Sequence, residues 1–167
     1  MKKAITALVL TTVILVVFGM EARAQIPKEG TSSQTWPYSG TFKVLAMGQE
    51  CLEMTWEVLG VVISDTSEDI FHNASFRCIG ASYAVKGEFN NSGFCVATRP
   101  DGDQIFWTLK ATGKMGVGSK GTSTFVGGTG KLTGIQGGGE YTEFFVRPAA
   151  EGTFQGVTRS KGQYKLP

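Results

Sequence analysis

Apolar and polar residues alternate along most of this chain, in runs of about ten residues separated by glycine, asparagine, aspartate and proline. The clearest run is Cys51 to Ile63. Leu52, Met54, Trp56, Val58, Gly60 and Val62 form one apolar face, and Glu53, Thr55 and Glu57 mark the other. A period of two describes a strand with one face in a core. Leu59, Val61 and Ile63 turn the far end of the second face apolar as well, so part of the outer surface is expected to be covered. A strand of about thirteen residues is long for an open sheet and suits a barrel.

The same reading gives about eight strands. The others are Trp36 to Met47, Ala74 to Val85, Glu88 to Thr98, Gln104 to Thr112, Thr122 to Val126, Tyr141 to Val146 and Glu151 to Tyr164. Gly48-Gln49-Glu50, Lys86-Gly87 and Arg99-Pro100-Asp101-Gly102-Asp103 are turns. Asn90-Asn91-Ser92-Gly93 is expected to interrupt its strand as a bulge or wider turn. Helical periodicity is absent apart from one candidate turn at Lys131-Leu132-Thr133. Strands at regular spacing with no long crossover predict an all-β fold, an up-and-down barrel or a sandwich, of which a single eight-stranded antiparallel up-and-down barrel is favoured. Closure removes exposed edges, and glycines along the strands permit the bends it needs.

The ends of the chain refine the picture. Met1-Lys2-Lys3, the uncharged run from Ala4 to Phe18 and Ala22-Arg23-Ala24 together have the form of a secretory leader over residues 1–24. Residues 25–34 are polar and read as a flexible lead-in, leaving 35–167 as the barrel domain. The formal charge of +2 belongs to the leader, because Lys2, Lys3, Arg23 and Glu21 all lie within it. A neutral mature chain has no long-range attraction for nucleic acid or an anionic membrane. A periplasmic or secreted location in a bacterium is expected.

Export implies an oxidising compartment and directs attention to the three cysteines, Cys51, Cys78 and Cys95. A two-residue turn at Lys86-Gly87 places Cys78 directly opposite Cys95, within disulfide reach. A turn at Asn91-Ser92 instead would shift that register. Cys51 has no evident partner.

The stretch from Gly121 to Tyr141 carries a resemblance. Phe125-Val126-Gly127-Gly128-Thr129-Gly130-Lys131, then Gly134-Ile135 and Gly137, are similar to the corresponding part of the allene oxide cyclase barrel-like proteins. That calycin-type group also resembles plant dirigent proteins. The match extends to Asp101-Gly102-Asp103, Ile105-Phe106 and Gly139-Glu140-Tyr141, and covers roughly residues 36–165. The resemblance implies an eight-stranded barrel around an apolar cavity and cofactor-free chemistry: cyclisation of a reactive fatty-acid epoxide, or orientation of a radical coupling. The family's catalytic residues find no counterpart here that can be carried over.

Other motifs yield little. Gly116-Val117-Gly118-Ser119-Lys120-Gly121 has the spacing of a dinucleotide fingerprint but precedes a strand rather than a helix. Gly127-Gly128-Thr129-Gly130-Lys131 lacks the first glycine and the magnesium-binding hydroxyl of a phosphate loop, and reads as a barrel corner. His72, the single histidine, stands beside the acidic residues Asp65, Glu68 and Asp69 and suits a surface or capping role. No metal site is expected. Glu53 and Glu57, about 13 Å apart along a strand, are too distant to act as a pair on one bond. Either could be a single buried acid only if its face pointed inward.

Trp56 and Trp107 are therefore the candidate ligand-binding residues, as walls of the barrel interior or as its core. The leading expectation is an apolar small molecule held in the barrel without a cofactor. The alternatives are a cofactor-independent cyclase or isomerase using an inward carboxylate, and a self-associating envelope protein meeting a second copy through Leu59, Val61 and Ile63.

Overall fold

A computed structural model describes residues 26–167. The expected leader lies outside them. The strands are β1 (Glu29–Ala46), β2 (Cys51–Val61), the two-residue β3 (Ile63–Ser64), β4 (Ser75–Val85), β5 (Glu88–Thr98), β6 (Gln104–Lys114), β7 (Gly118–Gly128), β8 (Gln136–Val146) and β9 (Thr153–Lys165). Each long strand pairs antiparallel with its neighbours in the order β2-β4-β5-β6-β7-β8-β9-β1, and β1 pairs back onto β2. Eight strands thus close into a barrel, with β3 as an extra pairing beside β1.

Inward and outward positions follow the predicted alternation in β2. Trp56 and Val58 are buried, while Glu53 is exposed. Leu59, Val61 and Ile63 are exposed as well, so the cover expected over the apolar end of the outer face is not supplied by the described residues. Lys86 and Gly87 both have positive φ, 52° and 81°. That matches a two-residue turn twisted to suit a right-handed hairpin. It fixes the β4–β5 register and sets Cys78 opposite Cys95.

Two further expectations are corrected. β1 begins at Glu29, so residues 29–34 of the predicted flexible lead-in are paired strand, opposite Ser160–Lys165 of β9. Their polarity concealed them: Ser32 and Gln34 point inward and are buried, and Gln34 joins a polar network with Asp69 and Ser160. Asn90–Gly93 forms no bulge, and pairing with β4 and β6 runs through it in register. Asn91 faces the interior and finds a partner there, so a polar residue at an inward position costs no break in the strand.

One end of the barrel is sealed. The segment after β3 folds across it, burying Ile70 and Phe71 with Leu132, Ile135 and Ile105. The Asp69 carboxylate accepts from Gln34 Nε2 (2.9 and 3.0 Å) and from the Phe71 amide (2.8 Å). Arg99 donates to the Asp69 and Ile70 carbonyl oxygens. His72 Nδ1 pairs with Ser64 Oγ at 2.9 Å, which ties down the same segment.

The glycine-rich corner between β7 and β8 completes this floor as a single 3-10 turn, Gly130–Leu132. Gly130 has φ +53°, and a β-carbon there would stand 1.8 Å from Asp103 Oδ1. The Asp103 carboxylate accepts the Lys131 amide at 3.0 Å, and Lys131 Nζ donates to Asp101 at 2.8 Å. The corner is therefore held by the β5–β6 turn, and its lysine is engaged there.

Candidate functional site in the barrel interior

The inward faces of the strands leave a cavity of about 650 Å³, open at the end opposite the sealed floor. Pockets for small organic molecules commonly fall between about 300 and 1,000 Å³. Phe42, Val44, Leu52 and Met115 border the opening; Trp56, Trp107 and Tyr38 lie deeper.

Aromatic rings on one strand lie over glycines on the next. Trp56 faces Gly80, Tyr38 faces Gly156, Phe154 faces Gly40, and Tyr141 faces Gly121, each directly across a strand pair. A β-carbon at any of these glycines would stand 2.3–2.7 Å from the ring or hydroxyl that covers it. Each ring thus lies along the wall rather than across the lumen, which leaves room inside a barrel that side chains could otherwise fill.

The structure places both predicted tryptophans on the cavity and separates their settings. Trp107 belongs to the base, where its ring centroid lies 5.6 Å from Trp36 and 5.7 Å from Phe71. Trp36 also packs edge-on to Phe71 and Phe76, at 4.9 and 5.1 Å. Trp56 stands on the wall, and its Nε1–H reaches Asn91 Oδ1 at 2.9 Å and Ser82 Oγ at 3.1 Å. The Cys78–Cys95 disulfide, with 4.1 Å between its α-carbons, lines the cavity near the base. Cys51 is a free thiol at the start of β2, half-buried.

The polar groups of the interior fall into three sets. Trp36 Nε1 donates to Ser160 Oγ (2.7 Å), Ser160 donates to Gln34 Oε1 (2.7 Å), and Gln34 donates onward to Asp69. The second set joins Trp56, Ser82 and Asn91. In the third, Glu143 on β8 accepts from Tyr38 OH at 2.5 Å through Oε1 and from Ser119 Oγ at 2.8 Å through Oε2. Burial, reinforced by the Glu143 charge and its hydrogen bond, pushes the Tyr38 hydroxyl far above the ordinary tyrosine range. Burial and the same charge push Tyr141 up as well. Both phenols keep their protons, and the Tyr141 hydroxyl is buried with no hydrogen-bond partner among the described residues.

The inward acid is therefore neither of the two glutamates singled out from sequence. Glu53 and Glu57 lie on the outer face, and Glu57 pairs with Arg77 at 2.6 Å. Glu143 escaped because its strand is deceptive: Tyr141, Glu143 and Phe145 point inward, while the alternate set Thr142, Phe144 and Val146 is the more apolar, with Phe144 exposed and Val146 exposed at the cavity rim. Trp36 and Tyr38 carried a legible signal, since both share a face with Gly40, Phe42 and Val44 at a period of two.

No family model matches the chain, and a search of curated proteins found no match by sequence. Among solved structures it is similar to the pterocarpan synthase dirigent protein GePTS1, at a TM-score of 0.53 and 11% sequence identity. The alignment covers 83% of this chain and 92% of that one. At that identity the likeness concerns the fold: this chain is an eight-stranded antiparallel barrel of the architecture seen in a dirigent protein.

Proposed function

We propose that this protein is exported and binds a small, mainly apolar molecule inside its barrel. The observation that carries the reading is the open cavity of about 650 Å³ walled by aromatic side chains. A filled interior would have argued for a purely structural barrel. A disulfide facing the lumen and the leader-like N-terminus support export. Denaturing mass spectrometry of protein purified from its own host tests the binding: release of a stoichiometric small molecule supports it. Failure of every apolar probe to quench tryptophan emission or raise the melting temperature counts against it.

A second reading is a cofactor-independent cyclase or isomerase, favoured by one observation: Glu143 is a carboxylate inside the cavity, flanked by two protonated phenols. General acid–base work needs such a group within reach of a bound substrate. Turnover of a bound ligand that Glu143→Gln abolishes while binding persists would establish it.

Self-association is a separate property that either reading allows. Leu59, Val61 and Ile63 are exposed on the outer face, and Ile79 and Phe94, directly opposite each other, extend the patch at 51% and 67% exposure. Sedimentation velocity that returns only the monomer mass at high concentration would remove it.

A further inference from the structure

Of the three polar sets in the interior, the one built on Glu143 is set apart by its unfilled acceptor positions. The other two polar sets bond mostly within themselves, each tryptophan Nε1–H reaching a serine or amide oxygen, with the Asn91 Nδ2 group left without a partner among the described residues. Glu143 is different. An ionised carboxylate offers about four acceptor positions, and protein donors occupy one on each oxygen, from Tyr38 and Ser119. The side chain is only partly covered and borders the cavity. No lysine or arginine forms an ion pair with it among the described residues. Arg147 and Lys161 also border the cavity, but both are exposed. Another unmet polar group, the Tyr141 hydroxyl, is buried in the neighbouring position two residues along the same inward face.

We infer that the cavity selects molecules with an apolar, aromatic-sized body and a hydrogen-bond-donating head, a hydroxyl or a protonated amine, and rejects those with a carboxylate. The head docks on the free lone pairs of Glu143, and the body lies against Trp56, Tyr38 and Phe154. A carboxylate head would meet an unneutralised negative charge in a setting with few compensating donors, a repulsive element of the kind that gives specificity. This inference rests on the binding reading above.

The test uses three probes with one body: 2-naphthol, 2-naphthylmethylamine and 2-naphthoate, titrated at neutral pH by tryptophan quenching and calorimetry. The quantity read is the ratio of the naphthol and naphthoate affinities in the whole protein against the same ratio in Glu143→Gln, which cancels the probes' own difference in hydrophobicity. A charge-assisted hydrogen bond corresponds to about a tenfold change, so the ratio is expected to fall by about that factor in the variant. Ser119→Ala, which removes one protein donor from the carboxylate, is the second variant and is expected to raise the ratio. A ratio unchanged in both variants, or naphthoate bound as tightly as the other two by the unaltered protein, overturns the inference while leaving the binding reading in place. No binding of any probe overturns both.

Discussion

The indole of Trp56 lies on Gly80: a β-carbon at position 80 would stand 2.3 Å from Cζ2 of the ring and 2.2 Å from the Ser92 carbonyl oxygen. Gly93, opposite Gly80 on the next strand, accommodates the far edge of the same ring. Position 80 therefore admits no side chain without moving either the indole or a strand. Gly80→Ala is expected to destabilise the barrel by about 1–3 kcal/mol, as overpacking commonly does, measured by urea unfolding. An unchanged midpoint would mean that the ring moves freely. Ala at Gly87, in a turn where nothing lies within 4 Å of the added carbon, provides the contrast of strain from positive φ alone.

The Trp56 indole also carries the only donor in its polar set that points from the wall to both Ser82 and Asn91. Trp56→Phe keeps a ring over Gly80 but leaves Asn91 Oδ1 with one donor fewer. A cost of about 1–3 kcal/mol is expected for the group left short of a partner. Trp56→Phe with Asn91→Leu should recover part of it, because replacing both polar partners leaves less unsatisfied; a double-mutant cycle reads this directly.

Burial raises both Tyr38 and Tyr141, so each binds its proton more tightly in the folded barrel than in the unfolded chain. Their contribution is complete below the ordinary tyrosine value near 10 and is lost as pH rises above it. Each such group lowers stability by about 1.4 kcal/mol per pH unit once the unfolded chain ionises. Melting temperatures between pH 8 and 11 should fall more steeply for the parent protein than for Tyr38→Phe with Tyr141→Phe. Parallel curves would refute the assignment.

Reducing the Cys78–Cys95 bond, or replacing both residues by alanine, is expected to lower stability by about 3 kcal/mol for a loop of this length. Intact mass should show two hydrogens missing, and one thiol, Cys51, should react with an alkylating agent after denaturation. A peptide linking Cys51 to either of the other two would overturn the pairing.

The floor corner separates structure from binding. Lys131 holds Asp101 in an exposed pair, and Lys131→Met should change stability by no more than about 1 kcal/mol. Gly130→Ala should cost more, because the added carbon meets Asp103 at a positive φ. Neither change should alter the affinity of a probe in the lumen. A phosphate-dependent melting temperature lost in Lys131→Met would restore the phosphate-loop reading.

The fold was legible where inward positions are apolar. β2 shows its interior as Leu52, Met54, Trp56 and Val58, and the Lys86-Gly87 turn sets the register that joins Cys78 to Cys95. The start of β1 and the middle of β5 were not, because Gln34 and Asn91 are inward residues that form hydrogen bonds, and Ser32 beside them is a buried inward hydroxyl, where apolar side chains would have marked the inner face. Glu143 was hidden for the same reason: its partners Tyr38 and Ser119 lie 105 and 24 residues away in the chain. Alternation identifies which residues share a face. It identifies the inner face only when hydrophobicity differs between the two, and a polar lumen behind apolar outer positions removes that difference.

The sealed floor has a kinetic consequence. With Ile70, Leu132 and Ile105 fully buried across one end, the lumen is a dead end with one portal. A molecule bound there would have to depart by the route it came, and a second could not push it through from behind. Exchange between two such molecules would therefore be strictly sequential. The rate at which a competitor replaces a bound fluorophore should level off at the fluorophore's own escape rate, whatever the competitor's concentration.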